Sequence, residues 1–181
     1  LHLVLATDKN GKKITIQELQ LAISKLIKKS PGLDKIKTEC ITKTSTKSQK
    51  ILPSIFNDIL TYKNIPTTWK DIKIFTLQKK DQNPNSATSY RPIGIISVMR
   101  KLFEKMLLNR LEYFLETTNK LSPFQFGFRK SKNIYHNLFN LSSHAYKAMG
   151  EKLYMPTIFL DINTAYNNVN YSILFEKLLS S

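Results

Sequence analysis

One charged side chain, Asp161, lies between Leu153 and Phe175, in a chain of 181 residues that otherwise carries 28 Lys and Arg and 13 Asp and Glu. Asp161 follows a short apolar run typical of a β-strand. A carboxylate at the end of such a run loses its hydration unless it gains a partner, which in a chain of net charge +15 is a metal ion or a cationic side chain. We therefore predict a strand over residues 154–162 that presents Asp161 to a cation.

The basic residues are spread along the chain, a distribution that suits a polyanionic partner, although lysine used only for solubility explains it equally well. The single cysteine, Cys40, excludes an internal disulfide and a cysteine-based zinc site, and the five glycines form no phosphate-binding loop. There is no apolar run long enough for a membrane span and no signal peptide. We expect a nuclear or cytoplasmic protein that is not secreted and has no membrane partner. Because the sequence lacks an initiator Met, we also expect it to begin inside a longer reading frame.

Hydrophobic periodicity predicts an α+β fold that is rich in helix. A capping box of Thr15 and Glu18 marks the first helix. The helices are expected over residues 15–29, 36–42, 48–62, 98–116, 133–149 and 171–179, and the strands over 72–77, 90–97 and 154–162. The first two strands, joined by a polar loop, predict a β-hairpin.

Three clusters carry candidate chemistry. The first is Asp161 with Tyr166, since a carboxylate at a strand end commonly holds a hard cation and an aromatic ring five residues later can wall the same site. A turn or helix-capping role for Asp161 remains the alternative.

The second cluster pairs Lys79 with Arg91 on the two strands of the expected hairpin. A lysine point charge and an arginine fork can hold one triphosphate together. The alternative is a solvated hairpin whose charged edges prevent pairing with other strands.

The third cluster is Gln125-Phe126-Gly127-Phe128-Arg129, followed by Lys130. Its aromatic rings and basic groups suit base stacking and phosphate contact. The alternative is a turn with two core phenylalanines that needs Gly127 for a positive φ.

In order and spacing, these clusters resemble the reverse transcriptase of non-LTR (LINE-type) retrotransposons. The resemblance covers roughly residues 14–181. The segments that carry it are Ser30-Pro31-Gly32-Leu33-Asp34-Lys35-Ile36, Ile65-Pro66 with Trp69-Lys70, Tyr90-Arg91-Pro92-Ile93, Lys101-Leu102-Phe103-Glu104-Lys105, Asn109-Arg110-Leu111, residues 125–129, and the motif-A-like residues 159–169.

The resemblance implies a right-hand polymerase fold, with an N-terminal flank (1–14), fingers (15–150) and the start of a truncated palm (151–181). It makes Asp161 the catalytic ligand of Mg²⁺ and Tyr166 a steric gate against ribonucleotides, while Lys79 and Arg91 hold the triphosphate. Gln125, Gly127, Arg129 and Lys130 would lie near nucleic acid. The implied partners are an RNA template, a DNA primer, dNTPs and the remainder of the polymerase chain.

The sequence also departs from the family pattern. It contains no adjacent pair of aspartates, and Asn167, Thr164 and Lys35 replace a usual Asp, Lys and Gly. Two-metal catalysis needs several carboxylates, so we expect no activity from this polypeptide alone. Three interpretations follow: part of an RNA-directed DNA polymerase, a non-catalytic basic remnant that binds nucleic acid, or an unstable product with exposed apolar surface.

Overall fold

The computed structural model describes residues 13–27 and 30–180. Most of the expected N-terminal flank and the basic pair Lys28-Lys29 lie outside the described residues. The chain divides between Tyr113 and Phe114 into two compact units. The boundary predicted between fingers and palm, at 150/151, concerns a functional division and stays a prediction.

The first unit contains four N-terminal helices, a hairpin and most of the longest helix. The elements are α1 (Ile16–Ser24), α2 (Thr38–Thr42), α3 (Thr46–Gln49), α4 (Ile51–Tyr62), β1 (Lys73–Gln78), β2 (Tyr90–Ile95) and α5 (Val98–Thr117), whose last four residues belong to the second unit. The second unit continues with α6 (Ile134–Gly150) and α7 (Tyr171–Ser180). The mixed composition of helix and antiparallel sheet confirms an α+β chain.

The core of the first unit forms around three aromatic rings. Phe103 of α5 stacks on Phe56 of α4 with ring centroids 5.4 Å apart, and Trp69 lies 6.1 Å from Phe103 and 6.2 Å from Phe56. Leu102 and Met106 bury the same apolar face of α5. The helical spacing of that face predicted these contacts, because residues three and four apart share one side of a helix.

The N-terminus of α1 is fixed by the capping box that the sequence predicts. The Thr15 hydroxyl accepts from the Glu18 N–H at 3.2 Å, and the Glu18 carboxylate accepts from the Thr15 N–H at 2.8 Å. Arg110 of α5 donates to both oxygens of Glu18, at 2.7 and 3.0 Å. The capping carboxylate therefore also joins α1 to the longest helix.

Two predicted helices differ from the structure. The helix expected over 15–29 ends at Ser24. Ile27, beyond that end, is 70% exposed, so its apolar side chain makes no core contact that would stabilise a further helical turn. The helix expected over 48–62 is divided at Lys50 into α3 and α4. Pro53 stands in the first turn of α4, where a missing N–H costs no helical hydrogen bond.

The expected hairpin is confirmed. β1 and β2 pair in antiparallel register, with Leu77 opposite Arg91 and Lys73 opposite Ile95. The short helix at 38–42 and the longer helices at 98–117 and 134–150 also agree with the predicted positions to within two residues.

The predicted palm strand over 154–162 is wrong for this structure. These residues have no regular secondary structure, and the sheet found in the described part of the chain contains only β1 and β2. A strand requires a neighbour for its N–H and C=O groups, and residues 154–162 have none here. Leu160 is consequently 91% exposed and Phe159 82%. Across the described residues after Met106, every residue is at least partly exposed to solvent.

No helix in the described ranges has both the length and the apolar character needed to cross a membrane.

Candidate functional site

The hairpin places Lys79 and Arg91 on the same face. Arg91 lies opposite Leu77, and the ladder continues one step beyond β1, where the Lys79 N–H donates to the Ser89 carbonyl at 2.7 Å. Because side chains alternate along a strand, Lys79 points to the same side as Leu77 and therefore as Arg91. The register therefore makes the two cations diagonal neighbours on that face.

The two cations differ in their present contacts. The Lys79 ammonium donates to the Thr88 carbonyl at 2.6 Å, and Lys79 as a residue is half-buried at the base of the loop between the strands. Arg91 is exposed, and no carboxylate in the described ranges pairs with it. The arrangement leaves a guanidinium fork available beside a partly immobilised ammonium.

The loop that carries the third cluster is organised by Arg129. Its guanidinium donates from Nε and Nη2 to the two oxygens of Glu116, at 2.9 and 2.6 Å. Its Nη1 also donates to the carbonyls of Ser122 and Gln125, at 2.7 and 3.3 Å. Hydrogen bonds from Arg129 lower the pKa of the Glu116 carboxyl, so both partners are charged at neutral pH.

The alternative of two core phenylalanines around a left-handed glycine does not describe this loop. Phe128 is 94% exposed, and Phe128 itself carries the positive φ of 59°. Gly127 is exposed, and a Cβ added there would contact nothing within 4 Å. The Gln125 amide donates to the Gly127 carbonyl at 3.3 Å. Phe128 is therefore a solvent-exposed ring in this loop and not a core residue.

Two further cationic residues, Lys130 and Lys132, follow Arg129 in this loop. Lys130 is exposed. The Lys132 ammonium lies 5.2 Å from the ring centroid of Phe126 and donates to the Pro123 carbonyl at 3.2 Å. Phe126 also stacks on His136 of α6, with centroids 5.6 Å apart.

Asp161 and Tyr166 lie at either end of a short turned segment. The Asn167 N–H donates to the Thr164 carbonyl at 2.9 Å, and the Asn168 amide donates to the Thr164 hydroxyl at 3.0 Å. Asp161 is exposed, and the ring of Tyr166 is 77% exposed. Lys79 and Arg91 belong to the first unit, whereas Asp161 and Tyr166 belong to the second.

The described residues do not form a complete magnesium site. No group of three or more carboxylates, histidines or cysteines comes together within the ranges that the structure describes. Mg²⁺ is usually bound by one or two carboxylates together with substrate phosphates and water. Asp161 can supply one hard oxygen ligand, and the remaining ligands have to come from other groups.

Sequence reasoning missed Glu116 and His136. Glu116 is 13 residues from Arg129 and lies in a different element, so neither helical nor strand periodicity predicts that the two side chains meet. His136 could have been found from the pattern Asn133-x-x-His136, because its ring accepts from the Asn133 N–H at 3.3 Å and completes a capping box.

Comparison with known proteins identifies the family. Residues 77–181, more than half of the chain, match the reverse transcriptase (RNA-dependent DNA polymerase) family. The chain is 32% identical over 165 residues to the RNA-directed DNA polymerase from mobile element jockey of Drosophila melanogaster, and 31% identical over 168 residues to the probable RNA-directed DNA polymerase from transposon BS of the same species. These alignments cover 91% and 92% of this chain.

A more distant relative is the Pol polyprotein of the type-1 retrotransposable element R2 of Popillia japonica, 27% identical over 166 residues, which are 91% of this chain and 22% of that protein. The chain spans 18% of the length of the jockey and BS relatives. The match over residues 77–181, together with these relatives, shows that the chain belongs to the reverse transcriptase family, in its non-LTR retrotransposon branch.

Proposed function

We propose that this chain supplies the fingers and the first palm motif of an RNA-directed DNA polymerase that extends a DNA primer on an RNA template. The observation that carries the proposal is the family match over residues 77–181, which contains every candidate site residue. The alternative of a non-catalytic basic remnant is less favoured, because the relatives are named as polymerases.

In the proposed reaction, Lys79 and Arg91 bind the triphosphate of the incoming dNTP. The hairpin register supports this role, since both side chains lie on one face of the sheet and Arg91 is exposed. Two cations held by a rigid ladder orient the triphosphate at low entropic cost. Arg91 contributes a bidentate contact, and Lys79 contributes a compact charge.

Asp161 is proposed as one ligand of a catalytic divalent ion, which we propose to be Mg²⁺. Reverse transcriptases generally use divalent metal, which activates the attacking hydroxyl and neutralises charge on the phosphates. Carboxylates outside the described residues would complete that site.

Tyr166 is proposed as the steric gate for the sugar. Its ring follows Asp161 by five residues and is exposed, so it can wall the position where a ribose 2′-OH would project. A clash with that hydroxyl disfavours ribonucleotides and leaves dNTPs unaffected.

The test joins this chain to the remaining polymerase portion of the jockey relative and measures incorporation of labelled dNTPs on a primed RNA template. Asp161→Asn should reduce incorporation by roughly a hundredfold or more, because a metal ligand is lost. Asp58→Asn, which neutralises an exposed carboxylate on α4, is the matched control and should leave the rate unchanged. Equal activity of the Asp161→Asn and Asp58→Asn proteins would refute the metal-binding role.

The same fusion tests the gate. Tyr166→Ala should raise incorporation of ribonucleotides relative to dNTPs, since the clash is removed. An unchanged preference for dNTPs in that variant would remove Tyr166 from the proposal.

A further inference from the structure

A shallow pocket of about 330 Å³ lies in the second unit beside the start of α6. One aromatic side chain from the preceding loop and one face of the helix line it. The lining residues are Phe126, Asn133, Tyr135, His136, Phe139 and Asn140. None of the helical members of this set belongs to the motifs that predicted the polymerase site.

Helical spacing explains how the pocket is built. Tyr135 and Phe139 are four residues apart, as are His136 and Asn140, so each pair stacks along the same side of α6. Phe126 closes the other wall by stacking on His136 at an interplanar angle of 14°. The Lys132 ammonium over Phe126 adds a cation–π contact that holds the ring in place.

The two large rings on the helix are exposed. Tyr135 is 73% exposed and Phe139 is 72% exposed. A flat ligand that covered both rings would remove a substantial apolar area from water. The ligand that best fits these two rings is therefore a planar aromatic group.

The residues around the pocket are cationic, which favours a ligand that also carries negative charge. No Asp or Glu occurs between Glu116 and Glu151, while the same stretch holds Lys120, Arg129, Lys130, Lys132 and Lys147. Glu116 itself is neutralised by Arg129. A stretch that is cationic throughout and carries exposed aromatic rings is suited to single-stranded nucleic acid, whose bases stack and whose phosphates are anionic.

The pocket also offers a polar group for a base edge. The side-chain amide of Asn140 has no hydrogen-bond partner within the described part of the chain. An amide presents one acceptor and two donors, which can pair with the exposed edge of an unstacked base.

We propose that this pocket binds one unpaired nucleobase of a single strand, stacked on Tyr135 and Phe139, while Lys130 and Lys132 contact the adjoining phosphates. The inference deepens the proposed function, because it names where the chain holds a nucleic-acid strand. It assigns that contact to the helix face and the lysines, since the Arg129 guanidinium is already bonded to Glu116. The competing occupant is an apolar protein segment. If the pocket serves such a segment, mutating the pocket should not change the ratio of affinities for base-bearing and abasic strands.

The experiment measures binding of the full 181-residue chain by fluorescence anisotropy. The probes are oligo-U RNA, oligo-dT DNA and an abasic oligonucleotide, each of about 12 nucleotides, a length within the usual site size for single strands. The variant Tyr135→Ala/Phe139→Ala should bind oligo-U and oligo-dT about tenfold more weakly, because stacking is lost, and the abasic strand within about twofold of the parent chain. The two base-bearing probes distinguish RNA from DNA as the source of the base.

Two further variants separate stacking from charge. Lys130→Gln/Lys132→Gln should weaken binding of all three probes alike and reduce the slope of log affinity against log salt concentration by about 1.4, since each phosphate contact to a single strand contributes about 0.7. Tyr62→Ala removes a tyrosine that is 76% exposed on α4 and should leave all three affinities unchanged. Circular dichroism of each variant checks that the helices are retained.

The outcomes discriminate clearly. If the parent chain binds the strands but Tyr135→Ala/Phe139→Ala leaves the ratio of base-bearing to abasic affinity unchanged, the pocket assignment is overturned and the polymerase proposal stands. If the parent chain binds no single strand at low salt, the pocket and the nucleic-acid contacts of this chain both fail. The polymerase proposal is decided separately by Asp161→Asn.

Discussion

Glu116 and Arg129 form a bidentate ion pair that connects the end of α5 to the loop thirteen residues later. The two contacts measure 2.9 and 2.6 Å, and the Arg129 side chain is only 10% exposed, against 37% for Glu116. Arg129 also donates two hydrogen bonds to the Ser122 and Gln125 carbonyls, which fix the backbone of the loop around the guanidinium. The guanidinium therefore positions the loop that carries Phe126, Phe128 and Lys130.

Removing the charge of Glu116 should loosen this loop. In the variant Glu116→Gln, Arg129 loses its bidentate acceptor, and tryptic cleavage after Arg129, Lys130 and Lys132 should become several-fold faster, as measured by mass spectrometry at pH 8. Glu151→Gln is the control, because the Glu151 carboxylate lies as far as 4.0 Å from the Lys147 ammonium and both side chains are exposed, so this ion pair contributes little. Similar cleavage rates in both variants would argue against the positioning role of Arg129.

The contact of Glu18 with Arg110 should make the stability of the first unit depend on pH. Burial raises the pKa of Glu18, but hydrogen bonds from Arg110 and the Thr15 N–H together outweigh it, so the pKa lies below its ordinary value of 4.5. A carboxyl with a lowered pKa in the folded state stabilises that state above its unfolded pKa, and the contribution is lost as the pH falls through the folded pKa.

The variant Glu18→Gln should therefore be less stable than the parent chain by about 1 kcal/mol at pH 7, a figure reduced for partial solvent screening. The difference should shrink below pH 4.5. Urea unfolding followed by the fluorescence of Trp69, the single tryptophan, measures it in the first unit. Glu112→Gln, at an exposed site on α5, is the matched control and should leave the stability at pH 7 unchanged.

Gly32 should not tolerate a side chain. A Cβ at this position would lie 2.7 Å from the Ser97 nitrogen and 2.9 Å from its Cα, where β2 passes into α5. Because both contacts are backbone atoms, Gly32→Ala should destabilise the first unit by about 1–3 kcal/mol in urea unfolding. Gly150→Ala meets nothing within 4 Å at the end of α6 and should be neutral or stabilising by about 0.5 kcal/mol.

A glycine at position 35 should stabilise the turn before α2. Lys35 has a φ of 56°, in the left-handed region, where an L side chain is strained and glycine is not. Lys35→Gly should raise the unfolding free energy by about 0.5–1 kcal/mol. Lys47→Gly, made inside helix α3, should instead lower it by about 1 kcal/mol, since glycine disfavours a helix. If both substitutions were destabilising, the strain assigned to Lys35 would be wrong.

The prediction about Lys35 shows how sequence and structure complement each other. The resemblance marked Lys35 as a departure from a usual glycine, and the positive φ gives the physical reason why glycine suits this position. The hairpin, the Thr15–Glu18 cap and the apolar face of α5 were likewise predictable, because each depends on residues close in sequence or on one helical period.

The strand expected over 154–162 could not be decided in this way. Its short apolar run satisfies the local requirement for a strand, but a strand exists only when a neighbour bonds to it. The same limit applies to Arg129: its sequence context suggested a phosphate contact, whereas its bonds to Glu116 depend on how the loop returns to α5.

The sequence alone therefore determined the family, the order of its motifs and the elements that short-range spacing encodes. Tertiary structure decided which charged groups are free to act and which are bonded to each other. The face shared by Lys79 and Arg91 depends on the register of the hairpin, and the ion pair of Arg129 and the pocket at Tyr135 depend on how the loop after α5 folds back between its two flanking helices. Such contacts depend on strand register and chain reversal, which local patterns of hydrophobicity and charge do not specify.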